Sequence, residues 1–271
     1  MNGGIKFFEF INPPTTRIAG SSNEILLNNI LLYDKKKVWR SLGSANGKKE
    51  EIQIFFKEAI TFDRLFLINH NWSDFKIYFT VNEQEVILQN VTTINNIKCS
   101  LDISNYEHST AYFEFDSIVV TALRIEIFKT KGDDKEKHLG HIVLTNQLGE
   151  LEGYPVLETE FDSGIIKQCM LSRRYRIYRK DDIFQAKLHF KNYPSKFQRD
   201  LKLIYQINSL SSFYLWACGG RIGKEFYSFP LRGYKAEDLF KCMVSADVTE
   251  SFSSNIFVNN VNISLAISEV V

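Results

Sequence analysis

Apolar residues recur with a period of two through most of the first half of the chain. That period restricts the segment to strands with one face on a core and one in water. Ile52, Ile54 and Phe56 share one face of IQIFF, and Phe75, Ile77, Phe79 and Val81 share one face of FKIYFTV. Ala111, Phe113 and Phe115 oppose Tyr112, Glu114 and Asp116, while Leu123, Ile125 and Ile127 oppose Arg124 and Glu126. The run Leu65–Ile68 is continuously apolar, as expected of a strand covered on both faces. Phe and Tyr number 22 and 12 against 5 Pro, which also favours pleated, half-buried surfaces.

Turn chemistry separates these strands at SANGKK (44–49), VNEQE (81–85) and KGDDKEK (131–137). The spacing predicts an antiparallel jelly-roll sandwich over residues 1–150. The polar stretch NQLGELEGYP (146–155) is the expected boundary. Beyond it, residues 155–271 read as a small α+β domain. SRRYRIYR and DIFQAKLHF are strand-like. Ser195 with Gln198 forms a capping-box pattern after Pro194. Phe197, Leu201, Ile204, Tyr205 and Asn208 then follow helical spacing over about four turns. Strands resume at SFYLWAC, DLFKCMV and VNISLAISEV. The fold class expected is thus mainly β, an antiparallel jelly-roll sandwich followed by a small α+β domain with one helix.

Bulk charge excludes little but points away from polyanions: the net charge is +1, so no broad basic field announces nucleic acid. The densest basic stretch, Arg173, Arg174, Arg176, Arg179 and Lys180, reads in part as the exposed face of a strand, and no nucleic-acid motif accompanies it. No stretch approaches the length of a membrane span and the N-terminus lacks a signal-peptide pattern, so neither membrane insertion nor classical export is expected. Cys99, Cys169, Cys218 and Cys242 are far apart with no CxxC, and reduced, mostly buried thiols are expected.

Enzyme signatures are absent: there is no P-loop, GxSxG, HExxH or GxGxxG. His138 and His141 have a metal-like spacing only on a helix; entering a strand they would diverge. Asp133-Asp134 sits among lysines, which oppose a bound dication. No metal and no cofactor is expected. Glu114, Asp116 and Glu126 alternate onto outer faces with no reason to pair as hydrolase carboxylates. One cluster remains, Asn69-His70-Asn71-Trp72, between two strands. It reads either as a polar turn whose side chains satisfy backbone groups or as a ligand loop. In the second case Trp72 would stack on a sugar face and Asn69, His70 and Asn71 would bond its hydroxyls.

Residues 20–80 resemble the discoidin, or coagulation factor type C, family of galactose-binding-like jelly rolls. The resemblance rests on SSNEILLNNILLYDKKKVWRS, IQIFF and FDRLFLINHNWSDFKIYF. Ser21-Ser22, Asp34, Trp39-Arg40-Ser41 and the strand from Asp63 to Asn71 match its pattern, and ALRIEIF fits its late strand. Lys35, Lys36 and Lys37 depart from an acidic calcium-binding loop. The second half is similar to bacteriophage tail and baseplate structural proteins. Ser264 to Val270 carries their "Leu-x-x-x-Glu-Val" ending.

These resemblances imply a non-enzymatic structural protein of a phage or phage-like tail, at the tail tip or baseplate, made in the bacterial host cytoplasm. Other tail proteins and further copies of the chain, as a homo-oligomer, would be its partners. The alternative is a stand-alone carbohydrate-binding, lectin-like protein whose partner is a cell-surface glycan.

Overall fold

The computed structural model describes residues 5–31, 37–43, 48–93, 97–132, 134–151, 156–162, 165–169, 175–179, 183–194, 198–217, 220–222, 225–227, 239–255 and 258–270. It divides into two units, residues 11–147 and residues 1–10 with 148–271. The chain is mainly β, with antiparallel pairing throughout the described ladders, as the alternation predicts.

Strand β1 (Ile5–Glu9) belongs to the second unit. The first unit holds β2 (Thr15–Gly20), a 3-10 helix (Glu24–Leu31), β3 (Trp39–Arg40), β4 (Glu50–His70), β5 (Trp72–Val81) and β6 (Gln84–Val86). It continues with β7 (Val91–Thr93), β8 (Lys98–Cys99), β9 (Asp102–Ile103), β10 (Ala111–Thr130) and β11 (His138–Thr145). The strand order is β3-β11-β4-β10-β5-β6, with β2 on β4, β7 on β10 and β9 on β5.

Two strands of 21 and 20 residues, β4 and β10, organise this unit. They pair in three stretches, Arg64–Leu67 with Ala111–Glu114, Ile60–Phe62 with Ile118–Val120 and Glu50–Phe55 with Ala122–Ile127, and the register shifts between them at Glu114/Ile118 and Val120/Ala122. Such irregularities bend strands. Before the bend β10 has β7 as its other neighbour; after it, β5. Likewise β4 has β2 beside its first half and β11 beside its second. Both long strands therefore run through both layers of a sandwich, and one core fills the space between. Phe62, Phe79 and Phe115 meet there with ring centroids 5.6–5.8 Å apart. Ile52, Ile54, Leu65, Leu67, Phe75, Ile77, Phe113, Leu123 and Ile125 are buried around them. Leu65–Leu67 is buried on both faces, with Phe66 on the side away from this core, its ring 4.9 Å from Tyr112.

The family-like positions act as staples. Trp39 is fully buried and its indole N–H donates to the Ser22 carbonyl at 3.3 Å. Ser21 and Ser22 hydroxyls donate to the buried Glu50 carboxylate. Ser41 Oγ accepts the Lys137 N–H at 2.9 Å. Asp34, Lys35 and Lys36 lie outside the described residues.

The second unit adds β12 (Gln147–Leu151), β13 (Val156–Asp162), β14 (Ile165–Cys169), β15 (Tyr175–Arg179), β16 (Ile183–Pro194) and helix α1 (Gln198–Asn208). It closes with β17 (Phe213–Ala217), β18 (Gly220–Ile222), β19 (Glu225–Tyr227), β20 (Leu239–Asn255) and β21 (Val258–Glu269). A nine-stranded sheet has the order β12-β1-β17-β20-β21-β16-β13-β19-β18, and β14 and β15 form a separate ribbon. Helix α1 spans 11 described residues, and its buried face is Leu203, Ile204 and Ile207. Tyr205 is 52% exposed, because Leu203 and Ile207 fill the core beside Phe7, Phe213 and Phe240 in its place. Ser195 lies outside the described residues.

Two expectations need revision. The division at 1–150 and 155–271 misplaces β1, which pairs with β17 (Ile5 with Ala217, Glu9 with Phe213) and lies between β12 and β17. Its apolar run IKFFE matches a central strand, and alternation says nothing about which sheet a strand joins. The ending at Ser264–Val270 is occupied within the sheet. Leu265 and Ile267 are core residues, Glu269 is buried, and β21 is paired on both sides. Burial in a central strand is sufficient reason for that pattern. Cys99 is half-buried and Cys242 buried; Cys218 lies outside the described residues.

Residues 11–147, which hold a complete core, are expected to melt cooperatively alone. Residues 148–271 lack a central strand and are expected to fold only when Ile5–Glu9 is fused in. A cooperative near-UV circular dichroism melt from unfused 148–271 would contradict this division.

Candidate functional site

The corner between β4 and β5 is a consequence of the bent strands. His70 ends β4 in one layer, Trp72 begins β5 in the other, and Asn71 alone joins them. Asn69, at φ 57°, supplies the left-handed residue that starts the crossing, a conformation Asn tolerates better than most residues. Gly140 passes close by: a Cβ there would lie 2.9 Å from the Ile68 carbonyl oxygen.

The Asn71 carboxamide replaces the strand neighbour that the corner lacks. Its Oδ1 accepts the His138 N–H at 2.9 Å, and its Nδ2 donates to the Glu136 carbonyl at 2.7 Å and to Asp134 Oδ2 at 3.3 Å. The Asn71 carbonyl accepts the Lys131 N–H at 2.7 Å. His70 Nδ1 accepts the Trp72 N–H at 3.2 Å, which assigns the ring proton to Nε2. The imidazole lies among three rings: Trp72 at 5.2 Å, Phe75 at 5.6 Å and Tyr106 at 5.6 Å, the last stacked at 28°. Burial, with the Lys131 and His138 charges, holds the His70 pKa down to about 3, so the ring is neutral.

Of the four residues assigned to a ligand, the structure leaves only Asn69 exposed. Trp72 is 0% exposed and offers no face to a sugar, and the polar atoms of Asn71 are spent on backbone and on Asp134. The reason is the bend, which turns Trp72 into the core rather than outward on a loop.

What lies over this buried box is loop 104–110, SNYEHST. Tyr106 anchors it: its N–H donates to the Ser73 carbonyl at 2.9 Å and its hydroxyl to the Thr110 carbonyl at 2.7 Å. The Asn105 N–H donates to Asp74 Oδ1 at 2.9 Å, and the His70 N–H donates to the Ser109 carbonyl at 2.7 Å. Lys131 Nζ donates to the carbonyls of His70, at 3.3 Å, and His108. The result is an exposed row of Ser104, Asn105, Glu107, His108 and Ser109 beside Asn69 on a rigid base. Burial lowers the Lys131 pKa to about 8. Sequence reading missed Tyr106, His108 and Lys131. The polar run SNYEHST signals a loop, but nothing local says that it covers a corner distant in the chain.

Other candidates fall elsewhere. His138 and His141 both lie on β11, where a spacing of three puts them on opposite faces. Among the described residues, no three His, Cys, Asp or Glu side chains gather as a metal site; Asp133 lies outside them. Glu114 pairs with Arg64 at 3.0 Å, and Glu126 binds Lys49, Tyr78 and Arg124 at 2.6–2.9 Å. Of the basic stretch, Arg176 and Arg179 fall on the β15 ribbon, and Arg173, Arg174 and Lys180 lie outside the described residues. No helix of the described residues is long and apolar enough to cross a membrane.

No family model matches the sequence, and no curated protein does. Among solved structures, the chain is similar to SpGH29, at 13% identity and TM-score 0.38, over 52% of this chain and 28% of that one. Chitosan-binding module 1 from a Paenibacillus sp. IK-5 chitosanase/glucanase gives 12% identity and TM-score 0.37, over 49% and 95%. CBM32-3 from a Clostridium perfringens family 31 glycoside hydrolase gives 15% and 0.36, over 49% and 90%.

Two consequences are measurable. Asn71→Ala strips partners from the His138 N–H and the Glu136 carbonyl and should cost about 1–3 kcal/mol. A urea midpoint equal to that of the native protein would show that the carboxamide is dispensable. Because the His70 pKa is depressed in the folded state, the unfolded chain binds more protons between pH 6.5 and about 3. The His70 contribution is therefore complete above pH 6.5 and falls below it, by about 1.4 kcal/mol per pH unit. His70→Gln should flatten that part of the stability profile; an unchanged slope would mean that His70 is protonated in the fold.

Proposed function

We propose that this chain is a non-catalytic binding protein whose jelly-roll unit takes a glycan at the corner end, along loop 104–110. The observation that carries the reading is the exposed row Asn69, Asn105, His108 and Ser109, held over a packed aromatic base by fixed backbone hydrogen bonds. Sugar hydroxyls demand directional donors and acceptors, and such groups bind best when ordered beforehand. Of the carboxylates weighed for hydrolysis, Glu114 and Glu126 are engaged in ion pairs on the sheet, which supports a non-enzymatic role, while Asp116 is exposed.

A structural subunit of a tail-like particle is the second reading. It is favoured by Ile25 and Leu42, 87% and 77% exposed on the segments that Ser22 and Asn23 tie together. Large exposed apolar side chains suit a protein interface.

Glycan-array binding by the full chain separates the two. His108→Ala with Asn105→Ala should abolish any signal while the melt stays unchanged, whereas Ile25→Asp with Leu42→Asp should leave it intact. Absence of array binding, with an oligomer that those Asp substitutions dissociate in sedimentation, would favour the tail subunit instead.

A further inference from the structure

Among the described residues, Lys131 is a cation without a counter-ion. Among the described residues no carboxylate lies within ion-pair distance of its Nζ, although Glu107 and Asp134 belong to the two loops that flank it. Its bonds go to two carbonyl oxygens, of His70 and His108, and its third N–H has no acceptor among the described residues. The ammonium stands 5.8 Å from the centre of the Tyr106 ring, whose edge meets the exposed His108 ring, also at 5.8 Å. The side chain is half-buried and borders solvent at Gly132 and loop 104–110. A partly desolvated charge with neutral partners alone is poorly compensated, and an incoming anion would supply the missing half. The depressed Lys131 pKa, due to burial alone, agrees with that environment.

We propose that Lys131 receives the carboxylate of an acidic sugar, with His108 and the loop amides contacting the ring hydroxyls. The inference rests on the glycan reading and narrows it to uronate-type ligands. If the ammonium were only a clip between two carbonyls, a glutamine, which also carries two N–H donors, would serve nearly as well.

The test is an NMR titration of the full chain with galacturonate, galactose and acetate, following His108 and Tyr106. Galacturonate should bind about tenfold or more tightly than galactose, the worth of one charge-assisted hydrogen bond. Lys131→Gln and Lys131→Met should remove that preference, and an unchanged melt for Lys131→Gln would show that the fold survives. Equal binding of galacturonate and galactose by the native protein, or a preference that persists in both variants, overturns the carboxylate site and leaves the glycan reading standing. Acetate binding as tightly as galacturonate, or no response to any probe, overturns both.

Discussion

The carboxamide of Asn71 holds the loop-bearing end of the jelly roll together. One residue carries the chain from the last position of β4 to the first of β5, between layers. A crossing that short leaves backbone groups of the neighbouring segment without a ladder partner, and buried groups of that kind must be satisfied. Asn71 imitates a strand: it accepts from His138 and donates to Glu136, a two-way exchange like that between paired residues. Aspartate or leucine would fit the space but could not do both.

Around that staple the interior is sorted by charge. His70 remains neutral because its surroundings are rings and because Lys131 and His138 oppose a further positive charge. Lys131 sits at the rim of the same aromatic box, and among the described residues its ammonium meets carbonyl dipoles and the Tyr106 ring. The rigid part of the corner is thus apolar and uncharged, and the charge is displaced to the edge where loop 104–110 meets solvent. The glycan site proposed above would gain from that arrangement, since a base that does not rearrange costs little ordering on association.

Much of the fold can be read from residue pattern. Alternation placed Ile52, Ile54, Phe75, Ile77, Leu123 and Ile125 on core faces, and each is buried. Of the continuous run Leu65–Ile68, Leu65, Phe66 and Leu67 are buried and Ile68 is half-buried. Pattern failed where position depends on distant partners. The bends in β4 and β10 arise from mismatched register between strands far apart in the chain, which no local signal encodes. Without the bends, Asn69–Trp72 looks like an ordinary loop with an exposed tryptophan; with them, Trp72 is core. The same holds for Tyr205, whose helical spacing suited either face until Leu203 and Ile207 took the buried one.

Strand β1 has a temporal consequence. The later of its two neighbours, Phe213–Ala217, lies about 200 residues further along the chain; at typical translation rates of 5–20 residues per second, that is a wait of about 10–40 s. Residues 11–147 can finish folding in that interval. Meanwhile Ile5, Phe7 and Phe8, all buried in the finished sheet, can have at most β12 beside them, and the other edge of the strand remains unpaired. An apolar segment in that state invites strand exchange with a neighbouring nascent copy. The brevity of β1, five residues with Lys6 and Glu9 among the apolar ones, limits how well such a mispairing can hold before the correct partner emerges.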